Sequence, residues 1–384
     1  MLSCQRNLFS LPEGMHYLNC AYMGPLPKAT QAAGVAGVAH KAVPTRIAAA
    51  DFFAPGERLR ALTGQLVNAA PERVALIPAV SYGVALIDHN LPLRRGQNVV
   101  IPDEEFPSNV YAWRDRCRRV GAELRLVPRP RDAQHPGLKW NEALLEAIDA
   151  QTALVTLTAV HWTDGTLFDL ERIGAKARAH DALFVVDGTQ SVGALPFDFD
   201  ALRPDALICA GYKWLLGPYQ LGVLVCGDRL LEMEPLEMNW INRRHSEDFA
   251  RLIDYQDEFQ AGARRHDVGE RSNPITLPML IASLEQIAAW GVERIQAYCG
   301  ELGRALDEAL AGSPFIVAPP GERAGHLFGV RLPDPRGIPR VMDTLRAHEV
   351  YASLRGTSVR VSPHLYNDAA DIEALAAALR ASLG

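Results

Sequence analysis

Short apolar runs alternate with amphipathic stretches through the first 230 or so residues of the chain. The runs are almost continuously apolar, which is typical of strands buried on both faces of a parallel sheet. The predicted strands are Arg73–Ile77, Asn98–Ile101, Glu123–Val127, Ala153–Thr158, Leu183–Asp187, Ala206–Cys209 and Val223–Cys226. Predicted helices lie between them, for example Asn109–Val120, Asn141–Ile148 and Leu170–His180. This alternation predicts an α/β fold in which helices cover a mostly parallel sheet, with ligands bound beyond the carboxyl ends of the strands.

The pattern changes after about residue 228. Residues 232–272 are rich in charge, Trp, Arg and His, which indicates a loop with short helices near a mouth or an interface. A long helical stretch is predicted from Leu277 to Leu310, followed by a small α+β domain over residues 313–384. Within that domain we expect strands near Leu327–Leu332 and Val359–Val361, a helix near Pro339–His348 and a last helix from Ala370. We therefore predict a large domain of residues 16–270, a small domain of residues 271–384, and an N-terminal arm of residues 1–15.

Composition narrows the functional classes. The 384 residues are 48% hydrophobic, enough for a large core, and the net charge of −6 does not favour nucleic acid as a partner. No apolar stretch approaches the ~18 residues of a membrane span, and the N-terminus lacks the apolar core of a signal peptide. The six cysteines show no Cys-x-x-Cys spacing, which argues against a metal site or a disulfide framework and predicts a cytoplasmic protein.

Two ionisable residues each close an apolar run. Asp187 ends the run that begins at Leu183, and Lys213 follows Leu207–Tyr212. A surface position is the ordinary interpretation of a lysine, and helix capping is an alternative for the aspartate. Burial of Lys213 between an apolar strand and an apolar turn would lower its pKa and favour amine attack on an aldehyde. Pyridoxal phosphate needs such a pair, a lysine for the Schiff base and an acid for the ring nitrogen.

Three further positions have candidate roles. The turn Pro78–Val84, which contains Ser81 and Tyr82, follows a predicted strand and is a candidate phosphate cradle, although an ordinary helix start has the same pattern. Phe106 is expected either to stack on a cofactor ring or to lie in the core. Arg360 alternates with valines on a short strand and is expected either to bind a substrate carboxylate or to lie exposed on an edge strand.

These motifs identify a family. Val186–Gly193 followed by Gly211–Pro218 resembles the class V aminotransferase family of fold-type I pyridoxal-phosphate enzymes. The resemblance extends from Tyr17–Pro25 to Arg360–Asn367 and so covers nearly the whole chain. It implies a large domain with a mostly parallel seven-stranded sheet and a small α+β C-terminal domain.

The resemblance also implies a role for each matching residue. Lys213 would form the internal aldimine, Asp187 would pair with the ring nitrogen, and Gln190 would contact the phenolic oxygen. The other implied cofactor contacts are Ser81, Tyr82, Phe106, Trp162 and Tyr212, with Ser81 and Tyr212 at the phosphate. Arg360 would bind the substrate carboxylate, and Asn19 would line the substrate side. The family forms dimers, so Ser272 within residues 269–273 is expected to reach the phosphate of the partner, with the active site at the subunit interface.

Two departures from the family bear on the reaction. Trp162 stands where cysteine desulfurases have an asparagine, and residues 352–359 lack the cysteine that desulfurases use as a nucleophile. We therefore expect an aminotransferase acting on a small amino acid. A C–S or C–C lyase, an epimerase and a non-catalytic member of the fold stay as alternatives. A dehydrogenase is disfavoured because no Gly-x-Gly-x-x-Gly turn follows the first strand.

Overall fold

The computed structural model describes residues 2–130, 135–332 and 334–383 of the chain. Its strands are β1 His16–Tyr17, β2 Val74–Ile77, β3 Asn98–Pro102, β4 Glu123–Val127, β5 Thr152–Thr158, β6 Leu183–Asp187, β7 Ala206–Ala210, β8 Gly222–Cys226, β9 Ile316–Val317, β10 Phe328–Arg331, β11 Val350–Tyr351, β12 Ser353–Arg355 and β13 Ser358–Val361. Its helices are α1 Lys28–Lys41, α2 Ala54–Val67, α3 Val80–Asn90, α4 Tyr111–Val120, α5 Pro136–Ala147, α6 Leu170–Ala179, α7 Phe199–Leu202, α8 Asp228–Leu231, α9 Thr276–Trp290, α10 Val292–Ala309, α11 Ile338–Ala347 and α12 Ala369–Ala381.

All seven strands predicted for the first part of the chain are present and form one sheet. Their order is β2-β8-β7-β6-β5-β3-β4. β8 runs antiparallel to both of its neighbours, β2 and β7, and the other neighbouring strands are parallel to each other. Every residue of β2, β3, β6, β7 and β8 is buried, as their continuous apolar runs predict for a sheet covered on both faces.

The predicted helices differ from the observed ones mainly at their ends. α4 begins after a 3-10 turn at Pro107–Asn109 and ends at Gly121, whose φ of 76° terminates it. α5 begins five residues earlier than predicted, because Pro136 suits the first turn of a helix. In residues 232–272 the structure has short 3-10 turns at Phe249–Arg251 and Gly262–His266, in agreement with the expected loop.

The stretch predicted to be helical from Leu277 to Leu310 is helical, but it is interrupted once. The segment forms two helices, α9 and α10, which meet at Gly291. Gly291 has φ 81° and ψ 127°, values outside the helical region. Its N–H still donates to the Ile287 carbonyl at 2.8 Å, so the glycine ends one helix and lets the next begin in a new direction.

The C-terminal part contains a second sheet of order β12-β13-β10-β9, antiparallel throughout. The sequence predicted β10, β13, α11 and α12 and missed β9, β11 and β12, which have only two or three residues each. β1 pairs in parallel with β11, so the N-terminal segment is attached to this part of the molecule.

Three apolar clusters form the core. α9 contributes Leu277 and Leu284 to the cluster that covers one face of the large sheet. α10 contributes Leu302 and Leu306 to a separate cluster with α11, α12 and the small sheet. The domain boundary after residue 270 stays a prediction. Every helix in the described ranges is too short or too polar to span a lipid bilayer.

Candidate active site

Polar side chains end neighbouring strands at one edge of the large sheet. β5 ends at Thr158 and β6 at Asp187, and these two residues are register partners. β7 follows beside β6, and the chain then turns through Lys213 before it returns as β8. Because the strand ends meet at this edge, Thr158, Asp187 and Lys213 line one cavity of about 390 Å³, which we call the inner cavity.

Lys213 lies in a tight turn between β7 and β8. The N–H of Leu216 donates to the Lys213 carbonyl at 3.1 Å, and Leu216 adopts a left-handed φ of 51°. The lysine side chain is buried, and burial lowers the pKa of Lys213 to about 8 although the negative charge of Asp187 opposes the shift. Near neutral pH an appreciable share of the amine is therefore unprotonated, which is the form that attacks a carbonyl carbon.

The N-terminal segment packs directly on the backbone of this turn. The N–H of Gly24 donates to the Tyr212 carbonyl at 3.0 Å. A Cβ at Gly24 would lie only 2.1 Å from the carbonyl oxygen of Lys213, so the close approach requires glycine. The motif Tyr17–Pro25 thus supports the candidate Schiff-base lysine from behind.

Asp187 is buried beside Lys213, and its carboxylate is held by the backbone of Thr189. The N–H of Thr189 donates to Oδ1 of Asp187 at 2.9 Å. Burial raises the pKa of Asp187, while hydrogen bonds from Thr189 and the positive charge of Lys213 oppose that shift. A carboxylate in this position suits a protonated pyridine nitrogen, because the positive charge of that nitrogen would compensate the negative charge of the buried Asp187.

Gln190 lines the inner cavity and is fixed by two hydrogen bonds of its side chain. Its Oε1 accepts from Nε1 of Trp214 at 2.9 Å, and its Nε2 donates to the Ala21 carbonyl at 3.2 Å. The amide nitrogen has two hydrogens, so one is left for a ligand oxygen. The contact of Gln190 to a phenolic oxygen stays a prediction.

The start of α3 forms another part of the cavity wall. Ala79 at the N-cap makes no side-chain hydrogen bond, and the N–H of Tyr82 donates to the Ala79 carbonyl at 3.1 Å, so the N–H groups of Val80 and Ser81 are the ones that could bind an anion. Ser81 adds a hydroxyl group there, and Tyr212 also lines the cavity. Burial raises the pKa of Tyr212 to about 12, which keeps its hydroxyl a hydrogen-bond donor.

Two other expected cofactor contacts do not line the inner cavity. The side chain of Tyr82 hydrogen-bonds Glu237 and packs against an apolar cluster of the large domain. The hydroxyl of Ser272 donates to the Phe52 carbonyl. Both roles stay predictions, and that of Ser272 depends on a second subunit.

Two aromatic rings form a further wall. The centroid of the Phe106 ring lies 5.5 Å from Nζ of Lys213. The Trp162 ring meets it edge-on, with centroids 5.5 Å apart and an interplanar angle of 88°, and Nε1 of Trp162 donates to the Glu104 carbonyl at 2.7 Å. Phe106 is therefore placed where it can stack on a flat ring attached to Lys213.

The sequence analysis missed Glu105, a buried residue behind this wall. Its two carboxyl oxygens accept from the N–H groups of Phe106 at 2.6 Å and Thr158 at 3.1 Å. Burial raises the pKa of Glu105 to about 8. No sequence signal separates Glu105 from Glu104, whereas Thr158 could have been found because, like Asp187, it ends an apolar strand.

Arg360 lies behind the wall of the inner cavity and is fully buried. Its Nη1 donates to the Trp162 carbonyl at 2.9 Å, and its Nε and Nη2 have no partner among the described residues. Burial lowers the pKa of Arg360 to about 9, and the positive charge of Arg355 adds to the shift. A buried guanidinium with two unpartnered N–H groups suits a carboxylate. Asn19 is nearby, and its Oδ1 accepts from the Ser353 hydroxyl at 2.8 Å.

The donor set fits pyridoxal phosphate. A buried amine, a buried carboxylate, an aromatic ring and an open helix N-terminus surround one cavity, and these match an aldehyde, a ring nitrogen, a flat ring and a phosphate. In the described ranges, no three His, Cys, Asp or Glu side chains are grouped so that they could hold a metal ion.

Comparisons with known proteins show the family of the chain. The profile of the family described as aminotransferase class-V matches residues 33–375. A probable cysteine desulfurase of Methanothermobacter thermautotrophicus is 28% identical over 342 residues, which cover 83% of this chain and 81% of the relative. The isopenicillin N epimerase of Amycolatopsis lactamdurans is 27% identical over 398 positions, with coverage of 98% and 97%.

Solved structures show the fold. A complex of the cystine C–S lyase C-DES with its product cysteine persulfide has a TM-score of 0.84 and 21% identity, and the match covers 96% of this chain and 97% of that one. The expected architecture, a large domain with a mostly parallel seven-stranded sheet and a smaller C-terminal domain, is confirmed.

Proposed function

Because the chain belongs to the aminotransferase class-V family of pyridoxal-phosphate enzymes, we propose that it is an aminotransferase that acts at the Cα atom of a small amino acid. The family match confirms the resemblance seen in the sequence, and with it the expected class of enzyme and the cofactor, pyridoxal phosphate. The choice of transamination and the roles of individual residues are the proposal.

The observation on which the proposal depends is the position of Lys213. Its amine is buried in the inner cavity, has a pKa of about 8 and lies beside both Asp187 and the Phe106 ring. A surface lysine would share none of these properties. Pyridoxal phosphate, when bound, supplies an electron-withdrawing ring that makes the Cα proton of an amino acid acidic.

The residues around the cavity have separate tasks in this scheme. Lys213 would hold the cofactor and would act as the general base that accepts the Cα proton. Asp187 would stabilise a proton on the ring nitrogen, and Phe106 would pack against the face of the ring. Arg360 binds the substrate carboxylate through its free Nε and Nη2, which orients the Cα–H bond toward Lys213.

The residues that line the cavity favour transamination over epimerisation and desulfuration. Transamination needs a single base that moves a proton between two carbons on one side of the substrate. Lys213, whose amine lines the inner cavity, can be that base. An epimerase needs a second group on the opposite side. A desulfurase needs a thiol, and among the lining residues described for the inner cavity none is cysteine. Elimination by a lyase also needs a single base, and the desulfurase relatives make it the second candidate.

The test is exchange of the Cα proton. We would incubate the holoenzyme with each amino acid in D₂O, follow loss of the Cα–H signal by NMR, and assay the products. Exchange together with formation of the 2-oxo acid, and of a new amino acid when a second 2-oxo acid is added, supports transamination. Release of pyruvate with ammonia or sulfide would assign the enzyme to the lyases, and loss of optical purity alone would assign it to the epimerases.

We further propose that the active form is a homodimer. The segment 238–257 exposes large apolar side chains, above all Ile253 at 82% and Tyr255 at 94% of their full accessibility. Exposed apolar patches of this kind are typical of subunit interfaces. The expected reach of Ser272 to the partner's phosphate also needs this dimer. Light scattering on the purified holoenzyme would give twice the chain mass of 42.0 kDa; the mass of a monomer would contradict the proposal.

We also propose a reducing compartment, the cytoplasm, as the location. All six cysteines are free thiols, five of them buried, and burial raises the pKa of Cys20 to about 12. Such thiols are inert core residues, which supports a cytosolic protein over a disulfide-bonded secreted one. Cell fractionation with detection of the native chain would test the location, and recovery from a secreted fraction would contradict it.

A further inference from the structure

A second cavity of about 360 Å³ lies next to the inner one, and we call it the outer cavity. Trp162 lines both cavities, so they share a wall. The outer cavity is lined on one side by the small sheet, through Arg331, Arg355 and Ser358.

The register of the small sheet explains why these side chains meet. Ser358 on β13 pairs with Arg355 on β12 and with Arg331 on β10. Directly paired residues of antiparallel strands point to the same face, so the three form a row across the sheet, the Arg355–Ser358–Arg331 row. Two residues further along β13, Arg360 pairs with Ser353 and Gly329 and belongs to the same face.

The ion pairs that Asp164 and Glu104 form in the described ranges are with Arg129 and not with this row. Asp164 forms an ion pair with Arg129, and Oε2 of Glu104 lies 3.3 Å from Nε of Arg129. Glu105 accepts two backbone N–H groups and, with a pKa of about 8, is mostly uncharged at neutral pH.

The row itself lacks ionic partners within the described ranges. Arg355 donates Nη1 to the carbonyl of its neighbour Leu354 and has its guanidinium 5.7 Å from the Trp162 ring centroid. Neither Arg355 nor Arg331 forms an ion pair there. Ser358 is only 4% exposed, and its Oγ has no hydrogen-bond partner. Two half-buried guanidinium groups and an unpartnered buried hydroxyl are donors suited to an anion.

We propose that the Arg355–Ser358–Arg331 row binds a second anionic group of the substrate, so that the enzyme selects amino acids whose side chain ends in a carboxylate. This inference rests on the proposed function and on Arg360 as the site of the first carboxylate. Arg360 and Ser358 are two residues apart along β13, or roughly 7 Å of backbone, a distance that a short dicarboxylic amino acid can bridge with help from the long arginine side chains.

The first experiment compares acids with their amides. Using the holoenzyme, we would measure Cα-proton exchange in D₂O for aspartate, glutamate and 2-aminoadipate, and for asparagine and glutamine. We expect kcat/KM for the best acid to exceed that for its amide by about 10- to 100-fold, the range for charge-assisted hydrogen bonds. Cystine tests a distal carboxylate on a larger molecule, and O-phosphoserine tests a different anion.

The second experiment assigns the preference to residues. Arg355→Gln and Arg331→Gln should each lower the acid-to-amide ratio of kcat/KM, and the double variant should bring it near one. Arg355→Lys keeps the charge but loses the planar fork, so it should retain part of the ratio. Arg346→Gln is the matched control, because Arg346 is an exposed arginine of the same small domain and its ion pair in the described ranges is with Asp343 on its own helix. This control should keep the wild-type ratio.

The outcomes separate the two proposals. If no amino acid exchanges its Cα proton, the proposed function fails. If amino acids exchange without an acid preference, or if the arginine variants keep that preference, the inference about the Arg355–Ser358–Arg331 row is wrong and the proposed function stands. Preference for O-phosphoserine would show that the row binds a phosphate, and it would overturn the proposal that the substrate side chain ends in a carboxylate. Preference for cystine that is lost in the arginine variants supports the row as a carboxylate site for a longer substrate.

Discussion

The inner and outer cavities are built in different ways. The inner cavity consists of residues at the ends of consecutive strands of the large sheet, and Asp187 and Lys213 are separated by a single strand, β7. The outer cavity combines a loop of the large domain around Trp162 with Arg331 and Arg355 on two strands of the small sheet. The groups that carry out the reaction and the groups that select the substrate therefore belong to different parts of the chain. Substitutions in the outer cavity should be able to change substrate preference without abolishing the reaction.

The largest effect is expected for a substitution in the inner cavity, Lys213→Ala. Lys213→Ala removes both the attachment point and the base, so we expect Cα-proton exchange to fall by about 10³-fold or more and the covalent link to the cofactor to be lost. Lys139→Ala, on the exposed face of α5, is the control and should behave like the wild type. A borohydride-reducible adduct that survives in Lys213→Ala would refute the assignment.

Asp187→Asn tests the charge beneath the ring. The amide preserves the shape of the carboxyl group but cannot stabilise a proton on the ring nitrogen. We expect the cofactor to stay bound and exchange to slow by about 10²- to 10³-fold, the range for removing one preorganised electrostatic group. The same NMR assay measures the effect, and a rate close to that of the wild type would exclude this role.

Arg360→Gln tests whether the substrate carboxylate and the acidic side chain are bound by different arginines. Because Arg360 is expected to bind the carboxylate that every amino acid has, its loss should raise KM by about 10- to 100-fold for acidic and neutral amino acids alike. Arg355→Gln should act mainly on acids. Titration of each variant with glutamate and with glutamine distinguishes the patterns, and the same selective pattern in both variants would contradict the separation.

Gly24→Ala tests the support behind Lys213. The added Cβ would clash with the Lys213 carbonyl, so we expect a loss of about 1–3 kcal/mol in the free energy of unfolding, the usual range for overpacking. Gly300→Ala is the matched control. A Cβ at Gly300 meets no atom within 4 Å, and the position lies inside α10, so alanine should be stabilising. Urea denaturation measures both, and equal stabilities would show that the N-terminal segment does not constrain the lysine.

The smallest effect concerns pH. Protonated Lys213 cannot attack an aldehyde, and the pKa of Lys213 in the free protein is about 8. The rate at which the protein without cofactor captures pyridoxal phosphate should therefore rise about tenfold per pH unit below pH 8 and level off above it. Stopped-flow absorbance would record this profile. A rate that still rises steeply above pH 10 would indicate an ordinary exposed lysine.

The parts of the molecule that the sequence predicted are those with local signals. The seven strands of the large sheet are mostly apolar runs, and Asp187 ends one of them while Lys213 follows another. Strands such as β9 and β11 were missed because two residues do not make a pattern. The break at Gly291 was missed because a glycine within a helical pattern is often tolerated.

The outer cavity was not predicted, because its formation depends on long-range pairing. Arg355 and Ser358 flank the short turn at Gly356 and Thr357, but Arg331 is brought beside Ser358 only by the pairing of β10 with β13, which no spacing in the sequence encodes. Arg360 was identified, but its burial and its hydrogen bond to the Trp162 carbonyl come from the packing of the small sheet on the large domain. Side chains that select a substrate are thus harder to predict than those that end core strands.

The most direct test of the account is a map of the cofactor attachment site. The holoenzyme would be reduced with borohydride, digested, and analysed by peptide mass spectrometry. We predict a single pyridoxyl modification on the peptide that contains Lys213, and none on that peptide when reduction is omitted. A modification on another lysine, or an unmodified Lys213 in protein saturated with pyridoxal phosphate, would contradict the central claim.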